Sequence, residues 1–231
     1  MSTEHKVVVV VPAFNEEKSI GKVISTIPKN LVSSVIVTNN NSSDNTANIA
    51  SEAGAIVLDE ERRGYGWACL KGIRKAKELG ATIIVFIDGD FSDYPEQLPR
   101  VLDPILNDEA DMVIGSRTLG KKEKGSLTPQ QLFGNWLATR LMRLFYGINY
   151  TDLGPFRAIK VEVLDKLNMQ DKTYGWTIEM QIKAAQNKLR SVEVPVDYRK
   201  RIGVSKVSGT IKGSIMAGYK IITAIFKYKF H

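Results

Sequence analysis

The sequence predicts an α/β protein with an open, mostly parallel β-sheet that is flanked by helices. Two observations support this fold class. Short, continuous apolar runs recur along the first half of the chain, as in parallel strands covered on both faces. Helical patterns separate these runs, and alternating strands and helices imply right-handed crossover connections within one parallel sheet.

The elements of the first half follow in order. Five strands are predicted for the apolar runs KVVVVV, SVIVT, AIVLD, ATIIVFID and ADMVIGS. Four helices are predicted over residues 19–27, 44–53, 65–79 and 95–106. Ligands of such sheets bind outside the carboxyl ends of the strands. The segments PAFNEE, NNNSSDNT and DGD all fall there, so this edge is the predicted site.

The alternation ends near Lys121. A polar loop, an amphipathic helix in FGNWLATRLMRLFYGI, a turn-rich segment TDLGPFRAIK, a helix in TIEMQIKAAQNK and a strand in SVEVPVDY are predicted next. We expect one domain with a Rossmann-like half at 1–120, a less regular half at 121–207 and a basic amphipathic tail at 208–231. The charge-free runs of the tail are too short to span a bilayer. It would either pack on its own domain or lie on a membrane surface.

Composition excludes several classes of protein. With 231 residues, of which 43% are hydrophobic, the chain can bury a sizeable core and is not disordered. The single cysteine, Cys69, excludes an intramolecular disulfide and a cysteine-rich metal site, as in a reducing compartment. The first residues lack the pattern of a signal peptide. We therefore expect a cytoplasmic protein.

The net charge of +7 indicates an anionic partner. The charge is unevenly distributed, because no acidic residue follows Asp197. Nucleic acid, a lipid surface and a phosphorylated small molecule are the candidate partners. Binding to nucleic acid is the remote alternative and is not expected, since the sequence lacks a basic face rich in aromatic residues that could stack on bases.

Asp88 and Asp90 flank Gly89 directly after the fourth apolar run. Two carboxylates at the end of a buried strand repel and cost desolvation unless a cation lies between them. Mg²⁺ typically takes one or two protein carboxylates and completes its coordination with water and substrate phosphates. Gly89 would let a diphosphate approach the backbone. The same three residues also occur in tight turns, so this motif alone does not decide between a turn and a metal site.

Four segments in a particular order carry a resemblance to a known family. VVVPAFNEE, VIVTNNNSSDNT, RGYGWACLKGIRKA and VFIDGDFSDYPEQL resemble the inverting nucleotide-sugar glycosyltransferases of family 2, which have the GT-A fold. DLGPFRAI, YGWTIEMQIKAA and VPVDYRKRIGVSKVSG are similar to the branch of dolichyl-phosphate mannosyltransferases and polyprenyl-phosphate glycosyltransferases. The resemblance implies transfer of a sugar from a nucleoside-diphosphate sugar to a polyprenyl phosphate, with 1–120 as the nucleotide-sugar-binding half and 121–207 as the acceptor and catalytic half. It also implies Mg²⁺ or Mn²⁺ as cofactor and peripheral contact with the inner face of a membrane.

The resemblance also implies a set of donor-side residues. Glu16 would meet the ribose or the base, and Asp88 and Asp90 would hold the metal and the diphosphate, with Asp90 the more direct catalytic group. The other implied donor contacts are Pro12, Phe14, Asn15, Asn39, Asn41, Arg63, Gly64 and Gly89. A strand-ending turn is the alternative role of Pro12 and Asn15. Asp44 is expected to cap the following helix.

This chain departs from the family at the end of the second strand. The family usually has an aspartate there that contacts the base, whereas this chain has Asn39, followed by Asn40 and Asn41. An amide both donates and accepts hydrogen bonds, so it can still bind the edge of a pyrimidine. The sequence leaves the identity of the base open.

The acceptor is indicated by a missing residue pair. A hydroxyl acceptor needs a general base, which the wider family supplies from a Glu-Asp pair at the start of a helix. Here Glu179 is followed by Met180. A phosphate acceptor is already ionised, so it is favoured. Glu179 is assigned either to contact with the donor sugar or to a salt bridge in its helix. Glycosylation of a soluble hydroxyl acceptor, with Glu179 as base, remains the alternative function.

The segment YRKRIGVSKVSG predicts a phosphate cradle. Arg201, Ser205 and Lys206 offer guanidinium, hydroxyl and ammonium donors, and Gly203 permits a tight bend. The resemblance implies that this segment clamps the phosphates of donor and acceptor, with Arg201 in a catalytic role. Four more residues complete the assignments: Asp152 and Arg157 on the acceptor side, and Trp136 and Trp176 in the core or an interface.

Overall fold

The computed structural model describes residues 5–203 and 211–230, which form a seven-stranded sheet with helices on both faces. The strands are β1 (Val7–Ala13), β2 (Ser34–Asn39), β3 (Ile56–Asp59), β4 (Ile83–Phe86), β5 (Met112–Ser116), β6 (Arg157–Lys160) and β7 (Ser191–Pro195). The helices are α1 (Ile20–Thr26), α2 (Thr46–Glu52), α3 (Tyr65–Glu78), α4 (Leu98–Leu106), α5 (Pro129–Tyr146), α6 (Val161–Leu167), α7 (Trp176–Gln186) and α8 (Ile211–Phe230). The strands and helices predicted for the first half are confirmed.

The strand order is β3-β2-β1-β4-β6-β5-β7. β1 runs parallel to β2 and β4, β2 to β3, and β5 to β7. β6 alone is antiparallel to its two neighbours, β4 and β5. The predicted mostly parallel sheet is confirmed. The carboxyl ends of the first five strands therefore lie along one edge.

The segment TDLGPFRAIK, predicted as turn-rich, ends in a strand that was not predicted. Arg157–Lys160 form β6, and Val161–Leu167 continue directly as α6. β6 has four residues, of which two are charged, so no apolar run marks it in the sequence. Pairing on both sides decides its conformation, because context outweighs intrinsic β propensity in a short central strand.

Two hydrophobic clusters cover the two faces of the sheet. Val8 and Val10 of β1 pack into one cluster with residues of α3, α5 and α7. Val7, Val9 and Val11 pack into the other with residues of α1 and α4. A strand that is buried on both faces needs apolar residues at every position, which explains the unbroken valine run.

The two longest helices lie on the same face and pack against each other. α5 begins before the predicted helix, because Thr128 and Gln131 form a reciprocal capping box at its first turn. The basic tail forms α8, which packs on α5 and α7. The rings of Phe145 and Phe226 meet there with their centroids 5.2 Å apart. Within residues 5–203 and 211–230, no helix has both the length and the apolar character needed to cross a bilayer.

Candidate active site

The loops that follow β1 and β2 are joined by hydrogen bonds. The backbone N–H of Asn15 donates to Ser42 Oγ (3.0 Å), and Asn15 Oδ1 accepts from the N–H of Ser43 (2.8 Å). Asn15 has a φ of 53°, a conformation that asparagine tolerates in turns. The turn that was the alternative role for Asn15 is therefore present, and Pro12 lies in β1 opposite Thr38. Both residues shape the edge of the sheet.

The Asp44 carboxylate lies just before α2. It accepts the backbone N–H of Thr46, the first helical residue, at 3.1 Å, and that of Glu17 at 3.2 Å. The N-cap position itself belongs to Asn45, so the helix begins two residues later than predicted. Asp44 therefore serves the helix start, as expected, and also fastens the loop after β1.

Asn39 is engaged on both sides of its amide. Its Nδ2 donates to Asp59 Oδ1 (2.7 Å), and its Oδ1 accepts from the backbone N–H of Ser42 (3.2 Å). Asn39 and Asp59 are register partners at the carboxyl ends of β2 and β3. A carboxylate is thus present at this position after all, but it comes from β3. Asn41, the other predicted contact, is exposed and has a φ of 63°.

The pairing of Asn39 with Asp59 yields a prediction. Changing Asn39→Asp should weaken nucleotide binding about fivefold, because two carboxylates would face each other in place of a hydrogen bond. Adding Asp59→Asn should restore the binding, since the amide and the carboxylate merely exchange places. Calorimetric titration with UDP and GDP measures both effects. Tighter binding by the single Asn39→Asp variant would contradict this view of the pair.

Asn40 organises the loop that precedes α3. Its Nδ2 donates to the carbonyl oxygens of Glu60 (3.1 Å) and Arg62 (2.7 Å), and its Oδ1 accepts the N–H of Gly64 (2.8 Å). Sequence reasoning did not assign Asn40 a role. Its position directly after β2 could have indicated this role, because a buried asparagine amide usually forms hydrogen bonds with backbone groups of nearby loops.

Gly64 is needed for packing. Its φ is 150°, and a Cβ there would lie 2.2 Å from the carbonyl oxygen of Lys172. Close packing of two loops therefore requires glycine at this position, and contact of Gly64 with substrate stays a prediction. At Gly89 a Cβ would meet Ile20 Cδ1 at an ordinary 3.4 Å, so the protein itself does not require glycine there. The reason proposed for glycine at position 89 is still that it leaves room for a ligand near the backbone.

Phe14 and Arg63 lie together at the edge. The Arg63 guanidinium is 4.9 Å from the centroid of the Phe14 ring. Arg63 is exposed and Phe14 is half-buried, so this pair offers a flat cationic and aromatic surface to solvent. Two predicted donor contacts from distant parts of the sequence are thus brought into contact.

Asp88 and Asp90 follow β4, where Asp88 is half-buried and Asp90 is buried. The Tyr65 hydroxyl donates to Asp88 Oδ1 at 3.1 Å. Burial and the charge of Asp90 raise the pKa of Asp88 to about 6, against the opposing charge of Arg201. Asp90 is also buried, and its Oδ1 accepts the backbone N–H of Ser92 at 2.8 Å. The predicted repulsion between the two carboxylates is therefore present.

Arg201 supplies a counter-charge in this structure. Its Nη2 lies 2.8 Å from Asp90 Oδ2 and 3.6 Å from Glu16 Oε1, so three predicted site residues meet. The backbone N–H of Ile202 also donates to the Asp90 carbonyl oxygen (2.9 Å). The predicted bend is present at Gly203, whose φ is 88°. Ser205 and Lys206 lie outside the described residues.

Asp152 does not face a ligand directly. It is 1% exposed, and its carboxylate binds the Arg117 guanidinium through two hydrogen bonds of 2.8 and 2.7 Å. Burial opposes its charge, but the Arg117 cation outweighs burial and lowers the pKa of Asp152. The predicted acceptor contact is therefore corrected: Asp152 positions Arg117, which follows β5 directly. DGD was identified because ligands bind outside the carboxyl ends of the strands. Arg117 also follows a strand end, but no role was predicted for it from the sequence.

Arg157 is an internal residue as well. Its guanidinium is 1% exposed and donates to the carbonyl oxygens of Gly154 (3.1 Å), Leu153 (3.3 Å) and Thr177 (3.0 Å). A side chain so enclosed does not touch an acceptor in this conformation. The predicted acceptor role is corrected to support for the loop before β6.

Glu179 is fully buried in α7. Its two oxygens accept the backbone N–H groups of Gln170 and Asp171, each at 2.7 Å, and Lys183 Nζ lies 2.7 Å away. Of the two roles predicted for Glu179, the structure shows the salt bridge within its helix. Contact with the donor sugar and the role of general base are not supported, because solvent does not reach this carboxylate.

The tryptophans differ in environment. Trp176 is buried and packs edge-on against Phe86 with ring centroids 6.2 Å apart, which confirms its place in the core. Trp136 is 52% exposed on α5, beside the ring of Phe133 at 5.8 Å. Trp136 is therefore not a core residue, and an interface position stays a prediction for it.

The donor atoms of the site fit a hard divalent cation. Asp88 and Asp90 offer carboxylate oxygens at one edge, and burial together with the charge of Asp90 raises the pKa of Asp88, two costs that a cation would offset. In the part of the chain that the structure describes, no group of three or more acidic, histidine or cysteine side chains could enclose a metal. An ion here would therefore need oxygen ligands from substrate, as Mg²⁺ commonly does with phosphates.

Comparison with known proteins places the chain among glycosyltransferases. An undecaprenyl-phosphate mannosyltransferase from Micrococcus luteus is 31% identical over 90% of this chain and 90% of its own length. A UDP-N-acetylglucosamine–dolichyl-phosphate N-acetylglucosaminyltransferase from Methanococcus voltae is 30% identical over 95% of this chain and 94% of its own.

Solved structures agree with this placement at the level of the fold. Glucosyl-3-phosphoglycerate synthase from Mycobacterium tuberculosis, in complex with Mn²⁺, UDP and phosphoglyceric acid, superposes with a TM-score of 0.78 at 21% identity. The match covers 99% of this chain and 80% of that one. The fold is thus of the GT-A class, as expected. Residues 8–167 match the model of glycosyl transferase family 2, and this chain belongs to that family.

Proposed function

We propose that this protein transfers a sugar, with inversion, from a nucleoside-diphosphate sugar to a polyprenyl phosphate, with Mg²⁺ or Mn²⁺ as cofactor. The observation that carries the proposal is the combination of two carboxylates, Asp88 and Asp90, with the guanidinium groups of Arg201 and Arg117. The charges of Arg201 and Arg117 both act on Asp88, and Arg201 contacts Asp90. A site with both charges suits two phosphate groups, one bound through a metal and one bound by arginine.

The nucleoside-diphosphate sugar would bind at the carboxyl ends of β1, β2 and β4. Asp88 and Asp90 would hold the metal, which supplies stabilisation of the charge that develops on the leaving diphosphate. The surface of Phe14 and Arg63 and the pair of Asn39 and Asp59 are available to the nucleoside. Glu16, whose carboxylate lies 3.6 Å from Arg201, would contact the ribose.

The acceptor phosphate would lie against Arg117, which Asp152 holds in a fixed orientation through two hydrogen bonds. A phosphate oxygen attacks the anomeric carbon on the face opposite the diphosphate, a new C–O bond forms, and the bond to the diphosphate breaks. No proton has to be removed from an ionised phosphate, so no general base is required. The enclosure of Glu179 supports this acceptor over a hydroxyl compound.

The test is a transfer assay. Purified protein would be incubated with Mg²⁺ or Mn²⁺, a panel of UDP- and GDP-sugars, and a short-chain polyprenyl phosphate in detergent. We expect a sugar-phosphate lipid in the organic extract by mass spectrometry, formed only with metal present. The matched control replaces the polyprenyl phosphate by the free polyprenol, which should give no product.

The negative outcomes have separate meanings. Product formed equally well in excess EDTA would contradict the metal. Binding or slow hydrolysis of a sugar nucleotide without lipid product would contradict the acceptor, and soluble hydroxyl compounds would then be tested. Transfer to the free polyprenol at the same rate would contradict the argument that no base is needed.

A further inference from the structure

The outward face of α5 has an unusual composition. After its first turn, in which Pro129 and Gln130 are exposed, the exposed residues of this helix are four large apolar side chains and two arginines, namely Leu132, Phe133, Trp136, Arg140, Arg143 and Leu144. At 100° per residue these six positions fall on one side of the helix, opposite the buried Ala138 and Met142. Surface helices ordinarily turn polar residues outward, whereas this helix exposes mainly large apolar residues. We name these six residues the α5 face.

Apolar residues are concentrated on this face and do not occur singly. Phe133 and Trp136 are 61% and 52% exposed, and their ring centroids are 5.8 Å apart. Arg140 lies 5.9 Å from the Trp136 ring. Scattered apolar residues on a surface need no explanation, but a contiguous aromatic and aliphatic patch indicates an interaction site.

The charge around the α5 face has one sign. The sequence of α5 contains no aspartate or glutamate, and neither does the neighbouring α8. α8 adds the exposed Tyr219 and the partly exposed Phe226, whose ring packs against Phe145 of α5. Aromatic rings beside arginines and without carboxylates match the boundary between lipid headgroups and acyl chains, where anionic lipids attract cations.

The α5 face is also connected to the site. Asn135 donates to the carbonyl oxygen of Thr151 (3.0 Å) and accepts the N–H of Leu153 (2.9 Å). Asp152, between these two residues, holds Arg117. The N-terminal half of α5, which carries Phe133 and Trp136, is therefore fastened to the segment that positions the proposed phosphate-binding arginine.

We propose that the α5 face docks this protein on an anionic phospholipid membrane. Phe133 and Trp136 enter the headgroup region, and Arg140 and Arg143 contact lipid phosphates. The purpose of this docking rests on the proposed function, because a polyprenyl chain can then stay in the bilayer while its phosphate reaches Arg117. The docking itself is a property of the surface and is measured without any sugar donor.

The first experiment measures binding to vesicles of phosphatidylcholine with about one third phosphatidylglycerol. The double variant Phe133→Gln/Trp136→Gln should bind about tenfold or more weakly than the unchanged chain. Arg140→Gln/Arg143→Gln should lose about fivefold per arginine on these vesicles and little on pure phosphatidylcholine. Leu106→Gln is the matched control: Leu106 is also exposed, but it ends α4 on the other side of the sheet.

Tryptophan fluorescence gives a second reading. Vesicles should shift the emission to shorter wavelength, and Trp136→Phe should remove this shift. Of the other two tryptophans, Trp176 is already buried, and Trp67 lies on α3, outside the α5 face, with the Arg62 guanidinium 3.7 Å from its ring centroid. Vesicle binding that is equal in the unchanged chain and the Phe133/Trp136 double variant would overturn the proposal. A stable dimer in sedimentation that the same double variant dissociates would overturn it too, since the face would then belong to a second copy of the chain.

Transfer assays separate this proposal from the proposed function. With polyprenyl phosphate in vesicles, the double variant should lose transfer, whereas with a detergent-dispersed short-chain acceptor it should retain it. Equal loss in both assays would overturn docking as the role of the face. Absence of lipid product with every variant and acceptor would refute the proposed function alone, and vesicle binding would still decide the docking.

Discussion

Replacing Asp90 with asparagine is expected to lower transfer by about a thousandfold or more and to leave the protein folded. The amide keeps the size of the carboxylate and an oxygen that can accept the N–H of Ser92. It removes the negative charge on which the proposed metal site depends. One of two mutually repelling charges is lost as well, so burial becomes easier for Asp88.

Two measurements check this expectation. Mn²⁺ binding, followed by electron paramagnetic resonance of the free ion, should fall together with transfer, while circular dichroism stays unchanged. Asp103→Asn, an exposed aspartate on α4, is the matched control and should behave like the unchanged chain. Full activity of Asp90→Asn would refute the metal role, and loss of activity with normal Mn²⁺ binding would move the role of Asp90 to its contact with Arg201.

The largest effect on stability is expected at Glu179. Changing Glu179→Ala should lower the free energy of unfolding by about 3–5 kcal/mol. Two backbone N–H groups, of Gln170 and Asp171, would lose their acceptor inside the protein, and Lys183 would lose its ion-pair partner. Chemical denaturation measures this change. Glu179→Gln should cost less, because the amide keeps one accepting oxygen.

The Glu179 variants also test the alternative function. If Glu179 were the general base for a hydroxyl acceptor, Glu179→Gln would remove the acidic limb of the pH–rate profile, where activity falls as the base is protonated, at little cost in stability. We expect the reverse: reduced stability, with an unchanged pH profile for the fraction that folds. Glu109→Ala, at an exposed turn position, controls for the general effect of removing a carboxylate.

Within the site, sequence reasoning succeeded where a residue's role follows from the end of a strand. Asp88, Asp90 and Glu16 all lie at the predicted edge, and Arg201 meets two of them from far along the chain. It failed where a polar residue is bound by other parts of the protein. Burial and hydrogen-bond partners are tertiary properties, so the same letter Arg describes both an enclosed Arg157 and a partly exposed Arg201.

The sequence by itself determined the alternating strands and helices, the edge at which the site lies and the family. These features depend on local apolar periodicity and on short motifs, which the order of residues records directly. The tertiary structure alone decided that RAIK becomes an antiparallel strand, that Asp59 of β3 meets Asn39 of β2, and that α5 turns its apolar side outward. Each of these depends on which distant segments pack together, and packing is a property of neighbours that no local pattern contains.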